Sequence, residues 1–224
     1  MSTRDIIDCM RNISFAEKEF YHIYNRGVDK RSIFTNSGDI ERFFKGVEQF
    51  NTLEVIGSLE RGHRVSTDPK LVNIVVYCMN PNHFHFILEQ VAERGIEKFM
   101  HKLCMGYSKY FNTKYKRSGA LFQGKFQAKL IDSNEYLLHL SAYINLNKMA
   151  HGRGHSVSTL GKTSWKEYIK DNSPNKICET KIILEQFKSR NHYRKFAESS
   201  LKSIVERKSL LDELERAGIE LIRS

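Results

Sequence analysis

Apolar and polar positions alternate over residues 19–26 (EFYHIYNR), which predicts a strand ending at Gly27. Residues 39–52 place Ile40, Phe43, Phe44, Val47 and Phe50 on one helical stripe. Residues 71–79 (LVNIVVYCM) are apolar and β-branched, the pattern of a central strand. After a turn at Asn80–Asn82, residues 83–89 are its expected hairpin partner. Helical spacing returns over 94–115, where Ile96, Phe99, Met100, Leu103, Met105, Tyr107, Tyr110 and Phe111 recur mostly at three- and four-residue intervals. Gly106 interrupts that helix, at a cost of about 1 kcal/mol. Residues 120–131 read as a turn and a strand from Phe126 to Ile131. Asp132, with Glu135 three residues later, has the form of a capping box for a helix from Ser133 to about Ala150, stopping at Gly152. The order is βαββαβ followed by one more helix. That is the pattern of an α+β, ferredoxin-like antiparallel sheet with helices on one face and an additional helix.

Residues 57–70 are polar and loop-like. A second change of character comes after residue 152, where HGRGHSVSTLGKTS is rich in Gly and Ser. Residues 1–152 are therefore read as one domain and 153–224 as a helical C-terminal extension partly packed on it. Trp165 and Tyr168 give the extension an aromatic anchor. Residues 180–189 and 199–222 read as two amphipathic helical stretches joined by the basic segment SRNHYRKF.

The formal net charge of +10 favours an anionic partner such as nucleic acid. The four cysteines are scattered with no Cys-x-x-Cys pair, which argues against a zinc knuckle or a redox motif. The opening residues carry charges where a signal peptide would be apolar, and no stretch is apolar for long enough to span a membrane. A reducing, cytoplasmic setting with free thiols is the expectation.

Two features carry candidate chemistry. His83 and His85 are two apart in a predicted strand, so they share one face with Cα atoms about 6.5–7 Å apart, a spacing at which two imidazoles chelate one metal ion. In the last core helix Tyr143 and Asn147 are four apart and share a face. They flank an apolar stripe of Leu137, Leu140 and Ile144, facing either solvent or a cleft against the sheet. The run from Lys109 to Arg117 interleaves cations with aromatic rings, which suits phosphates and stacked bases.

The segments YHIYNRG, NPNHFHFIL, SGALFQGKFQAKLID and AYINLNKM, in that order, resemble those of the REP-associated tyrosine transposases. These are HUH single-tyrosine transposases, named for a His–bulky apolar–His triplet that is His83-Phe84-His85 here. The resemblance runs through residues 18–152 and weakly on to Tyr168. It implies a nucleophilic Tyr143 and a divalent metal ion, Mg²⁺ or Mn²⁺, held by His83, His85 and Asn147. Lys148 stands where the family usually has proline.

The implied activity is cutting and rejoining of single-stranded, hairpin-forming DNA through a 5′-phosphotyrosine, by a monomer or homodimer. Arg26, Lys116, Arg117, Lys125 and Lys129 are expected DNA contacts. Tyr136, Tyr107 and Tyr110 are rival nucleophiles. The competing classes are a catalytically silent nucleic-acid-binding module and a metal hydrolase that uses water.

Overall fold

The structure is a computed structural model that describes residues 13–53, 69–150, 160–173 and 176–216. Its elements, in chain order, are β1 (Phe20–Arg26), α1 (Ser37–Gln49), β2 (Val72–Asn80), β3 (His83–Gln90), α2 (Gly95–Lys114), β4 (Gln127–Leu130) and α3 (Asn134–Ala150). They continue with β5 (Lys162–Thr163), α4 (Trp165–Ile169), α5 (Lys181–Leu184) and α6 (Arg190–Arg216). The five strands form one sheet in the order β4-β1-β3-β2-β5, and every pairing is antiparallel. The first four strands have the ferredoxin-like order, so the predicted class stands.

β3 is the middle strand, and its period of two sorts its side chains between two layers. Phe84 points to the face covered by α1 and α2, where its ring lies 5.4 Å from that of Phe43. Tyr107 of α2 meets the same Phe43 edge-on at 4.9 Å. His83 and His85 point to the other face, which α3 covers: Asn147 of α3 bonds Asn80, the register partner of His83. The additional helix therefore closes the sheet from the side opposite α1 and α2.

Two glycines, Gly27 of the first motif segment and Gly106 of α2, are explained by close approach. A Cβ on Gly27 would sit 2.1 Å from the Arg31 carbonyl oxygen, and the Gly27 N–H donates to the Asn82 carbonyl at 2.8 Å, tying the end of β1 to the β2–β3 turn. A Cβ on Gly106 would sit 2.9 Å from the Phe50 ring. The poor helix former in α2 is thus where the α1 side packs tightest, and the packing offsets its propensity cost.

The sequence reading is corrected in three places. Ser133, not Asp132, caps α3: its Oγ accepts from the Tyr136 N–H at 3.2 Å. The segment SRNHYRKF is not a joint between helices, because α6 starts at Arg190 and runs through it. The polar run after residue 152 ends in a short edge strand, β5, paired to Cys78 and Met79 of β2. The linker over 57–68, the helix stop at Gly152, Cys9 and the signal-peptide region to residue 12 lie outside the described residues.

Residues after 160 also fasten to β2. Its register shifts between Ile74 and Val76, and the carbonyl of the extra residue, Val75, accepts from the buried Tyr168 hydroxyl at 2.7 Å. On the α1/α2 face, buried Asp39 ties the start of α1 to the end of α2. Lys114 Nζ lies 2.6 Å from its Oδ1, and Thr35 and Tyr115 bond its Oδ2. Burial alone would raise the Asp39 carboxyl; these donors outweigh it and hold the pKa at about 2.

A carboxyl depressed on folding adds stability that is present above its unfolded pKa and is lost as pH falls through the folded one. Urea midpoints should therefore drop steeply between about pH 4 and pH 2. Asp39→Asn should begin less stable and lose less over that window; equal slopes would remove Asp39 from the account.

Candidate active site on the sheet face

β1, β3 and β2 lay side chains across the face under α3 in fixed register. Tyr24 stands opposite His85 and Arg26 opposite His83. Cys78 and Asn80 stand opposite His85 and His83 from the other side. On the far edge, β4 brings Lys129 opposite His22. The alternation predicted for these strands is what gathers His22, Tyr24, Arg26, His83, His85, Cys78 and Asn80 on a single surface.

The His83 and His85 rings are edge-on, with centroids 5.1 Å apart. Both are partly buried, and each is oriented by a neighbour. His83 Nδ1 lies 2.6 Å from Asn82 Oδ1, and its Nε2 lies 2.8 Å from Asn80 Nδ2. The simplest proton assignment is a neutral ring with the hydrogen on Nδ1 and with Nε2 accepting from the Asn80 amide on the shared surface. His85 Nδ1 lies 2.9 Å from His22 Nε2.

The same Asn80 amide donates to Asn147 Oδ1 at 2.7 Å. Asn80 thus spans from the β3 histidine to the α3 amide. Asn147 is fully buried, and its Nδ2 is a buried polar atom with no hydrogen-bond partner. An orphaned N–H donor of that kind marks a place suited to a further acceptor. Tyr143, one turn earlier on α3, is half-buried beside it. Burial raises the Tyr143 phenol, the Asn147 amide works against the rise, and Cys78 adds to it. At neutral pH the hydroxyl keeps its proton.

The expected DNA contacts divide by location. Arg26 is exposed beside His83, its Nε donating to Gln123. Lys129 is exposed next to His22, its ammonium 4.9 Å above the Tyr136 ring. Lys125 is exposed just ahead of β4. Lys116 and Arg117 follow α2, on the opposite layer, with Arg117 over the Phe111 ring. Two of the rival tyrosines are placed apart: Tyr107 is buried and donates to the Ile33 carbonyl, and Tyr110 bonds Asp39; Tyr136 stays on α3 with Tyr143, beside Lys129.

His22 is the residue that sequence reasoning passed over. Its only signal was its place in β1, two before Tyr24 and four before Arg26 on the same face. It stacks at 5.2 Å on His85 and at 4.9 Å against Tyr24. Burial, and then the charge of Lys129, lower its pKa to about 4. His22 is therefore neutral where His83 and His85 would act.

Among the described residues no group of three or more His, Cys, Asp or Glu side chains is placed to hold a metal ion. A cation on this face would rest on two imidazoles and an amide. Set beside known proteins, residues 20–147 match the family model described as "Transposase IS200 like". No curated protein sequence matches the chain.

Among solved structures, one described as "Structure of the REP associates tyrosine transposase bound to a REP hairpin" aligns at a TM-score of 0.49 and 13% identity. It covers 70% of this chain and 83% of that one. A bacterial tRNA(His) guanylyltransferase-like protein in complex with GTP aligns at 0.35 and 9% identity, over 70% of this chain and 76% of that one. Neither score is high enough to support a functional inference.

A histidine titration by NMR checks the electrostatics of this face. The His22 ring should titrate near pH 4, and Lys129→Gln should move its midpoint upward because a repelling cation is gone. An ordinary midpoint near about 6.5 would contradict the buried, neutral ring.

Proposed function

The chain belongs to the IS200-like transposase family, and we propose that it is a metal-dependent single-stranded DNA endonuclease and strand transferase whose nucleophile is Tyr143. One observation carries this reading. The helix motif and the strand motif, about sixty residues apart in sequence, meet through Asn80, which bonds both His83 and Asn147.

The residues fit a bound divalent ion. His83, His85 and Asn147 would hold it through two imidazole nitrogens and the amide oxygen Oδ1, which is already turned toward the histidine side by its bond from Asn80. Bound Mg²⁺ or Mn²⁺ would polarise a non-bridging oxygen of the scissile phosphate. With no carboxylate in the set, affinity is weak until the DNA phosphate joins. Two imidazoles and an amide lean toward Mn²⁺.

The protein's own groups do the rest. Tyr143 Oη gives up its proton and bonds phosphorus, while the bond from phosphorus to the 3′ oxygen breaks and that oxygen takes a proton. The products are a 5′-phosphotyrosine and a free 3′-OH. Attack by that hydroxyl, or by one from another DNA end, reverses the step without an outside energy source, since each bond broken is replaced by one of its kind. α3 fixes where Oη sits, which lowers the entropy cost of attack. His22 holds the His85 ring through Nδ1 and leaves Nε2 as the ligating nitrogen.

Arg26 and Lys129 frame the face and would take phosphates on either side of the break. Lys125 would extend that track along the β4 edge. Lys116 and Arg117 would serve only a strand that passes around the sheet to the α2 layer. The substrate would be single-stranded DNA with a hairpin, by resemblance of the motif segments to the REP-associated transposases. A 1–152 catalytic unit with the remainder as a supporting extension is part of the same proposal.

A labelled hairpin-bearing single strand, incubated with Mn²⁺ and run on a denaturing gel, should yield a covalent protein–DNA band. Tyr143→Phe should abolish it. Cleavage surviving that substitution would point to water as the nucleophile, and binding without cleavage to a silent module. His83→Ala and His85→Ala should stop cleavage while DNA affinity holds, because affinity rests mainly on phosphate contacts. His22→Ala should raise the Mn²⁺ dissociation constant about 10–100-fold, read by electron paramagnetic resonance; an unchanged constant would remove His22 from the metal-orienting role.

A further inference from the structure

α3 carries two polar faces. Tyr143 and Asn147 form one; Ser141 and Asn145 form the other. At about 100° per residue, Asn145 points roughly 200° away from both Tyr143 and Asn147. Asn145 and Ser141 are nonetheless buried, so their polar atoms need partners within the protein.

Those partners come from the chain after residue 160. The backbone N–H of Tyr77 in β2 donates to Ser164 Oγ at 3.1 Å. The Ser164 hydroxyl donates to Asn145 Oδ1 at 2.6 Å. Asn145 Nδ2 donates to the Tyr193 hydroxyl at 2.9 Å. The Tyr193 and Ser141 hydroxyls lie 3.1 Å apart, and Ser141 Oγ donates to the Leu138 carbonyl at 2.7 Å. With Tyr193 donating to Ser141, each hydroxyl uses its single proton once, and the relay runs in one direction from β2 to α3.

The relay is enclosed as well as satisfied. Ser164 and Tyr193 are fully buried. The Tyr193 ring sits against Tyr168 at 5.0 Å, Phe187 at 5.3 Å and Trp165 at 6.1 Å. A second bond between the same helices, His139 Nδ1 to Ser200 Oγ at 2.7 Å, lies on the N-terminal side of the relay.

We propose that Tyr193 and Ser164 are positioning residues for the reaction: through Asn145 they fix the rotation of α3 about its axis and so aim Tyr143 and Asn147 at the histidine face. The inference rests on the reading that Tyr143 and Asn147 carry the chemistry. It gives the chain beyond residue 160 a task that apolar packing alone cannot perform. Apolar contacts are non-directional, whereas each hydrogen bond of the relay is directional and adds a preference for one rotation of the helix. Neither residue touches substrate in this account.

Tyr193→Phe and Ser164→Ala cut the relay on the two sides of Asn145. Tyr168→Phe is the control, since it removes a buried hydroxyl that bonds the Val75 carbonyl rather than α3. At saturating hairpin DNA, the rate of covalent adduct formation should fall between about tenfold and a hundredfold in both relay variants, with DNA affinity unchanged. The control should lose comparable melting temperature and keep its rate. Wild-type rates in the relay variants, or losses that merely track melting temperature across all three, overturn the proposal.

A fluorine label on the Tyr143 ring reads the aim of α3 without any reaction. Its resonance should shift or broaden in both relay variants and stay put in Tyr168→Phe. If the wild-type protein forms no adduct, the functional reading fails, and the fluorine line alone decides the positioning claim: an unaltered line overturns it.

Discussion

The alternation of β3 is the constraint on which the molecule is built. A strand in the middle of a sheet must present successive side chains to opposite layers. His83-Phe84-His85 uses this to put a bulky ring among Phe43, Phe86 and Phe122 while two imidazoles face the other way. Burial of Phe84 fixes the register, and a shift by one residue would exchange the histidines with the core. The apolar residue between the histidines is therefore what locks them on their surface, and its packing energy is spent on the geometry of the site.

The second layer answers the first with polar bonds. α3 buries Leu140, Ile144 and Leu146 and also faces histidines and asparagines, so donors and acceptors join apolar packing in specifying its position: Asn80 to Asn147, and Ser164 to Asn145. Buried polar groups are costly unless satisfied, which makes such a contact demanding but unique. Among the buried amides of α3, Asn147 alone keeps an atom unsatisfied, and it is the one that faces the histidine pair. That asymmetry separates an amide whose bonds all hold the helix from one that keeps a donor for a further acceptor.

The strands, the hairpin and the two long core helices were legible because each has a strong period over enough residues. The pairing of Tyr143 with Asn147 was legible as a helical interval, though not which way it faced; only Asn80 across the gap decides that. His22 was hidden because its relation to His85 is a register relation, and sequence carries no local mark of which strands become neighbours. Asn145 was hidden between two motif positions whose family pattern drew the eye. β5 is two residues in a polar run, too short for any alternation to show. The start of α6 was obscured because Arg190, Arg194 and Lys195 surround the few buried positions, Tyr193 and Ala197, that define its stripe.

The central claim is that one atom, Tyr143 Oη, takes the 5′ phosphate. Digestion of the protein–DNA adduct with nuclease and trypsin, followed by tandem mass spectrometry, reads that bond directly. The account predicts a phosphodeoxynucleotide on the peptide containing Tyr143 and localised to that residue. A modification on Tyr136, Tyr110 or any other residue, or DNA cleaved with no modified peptide at all, would contradict it.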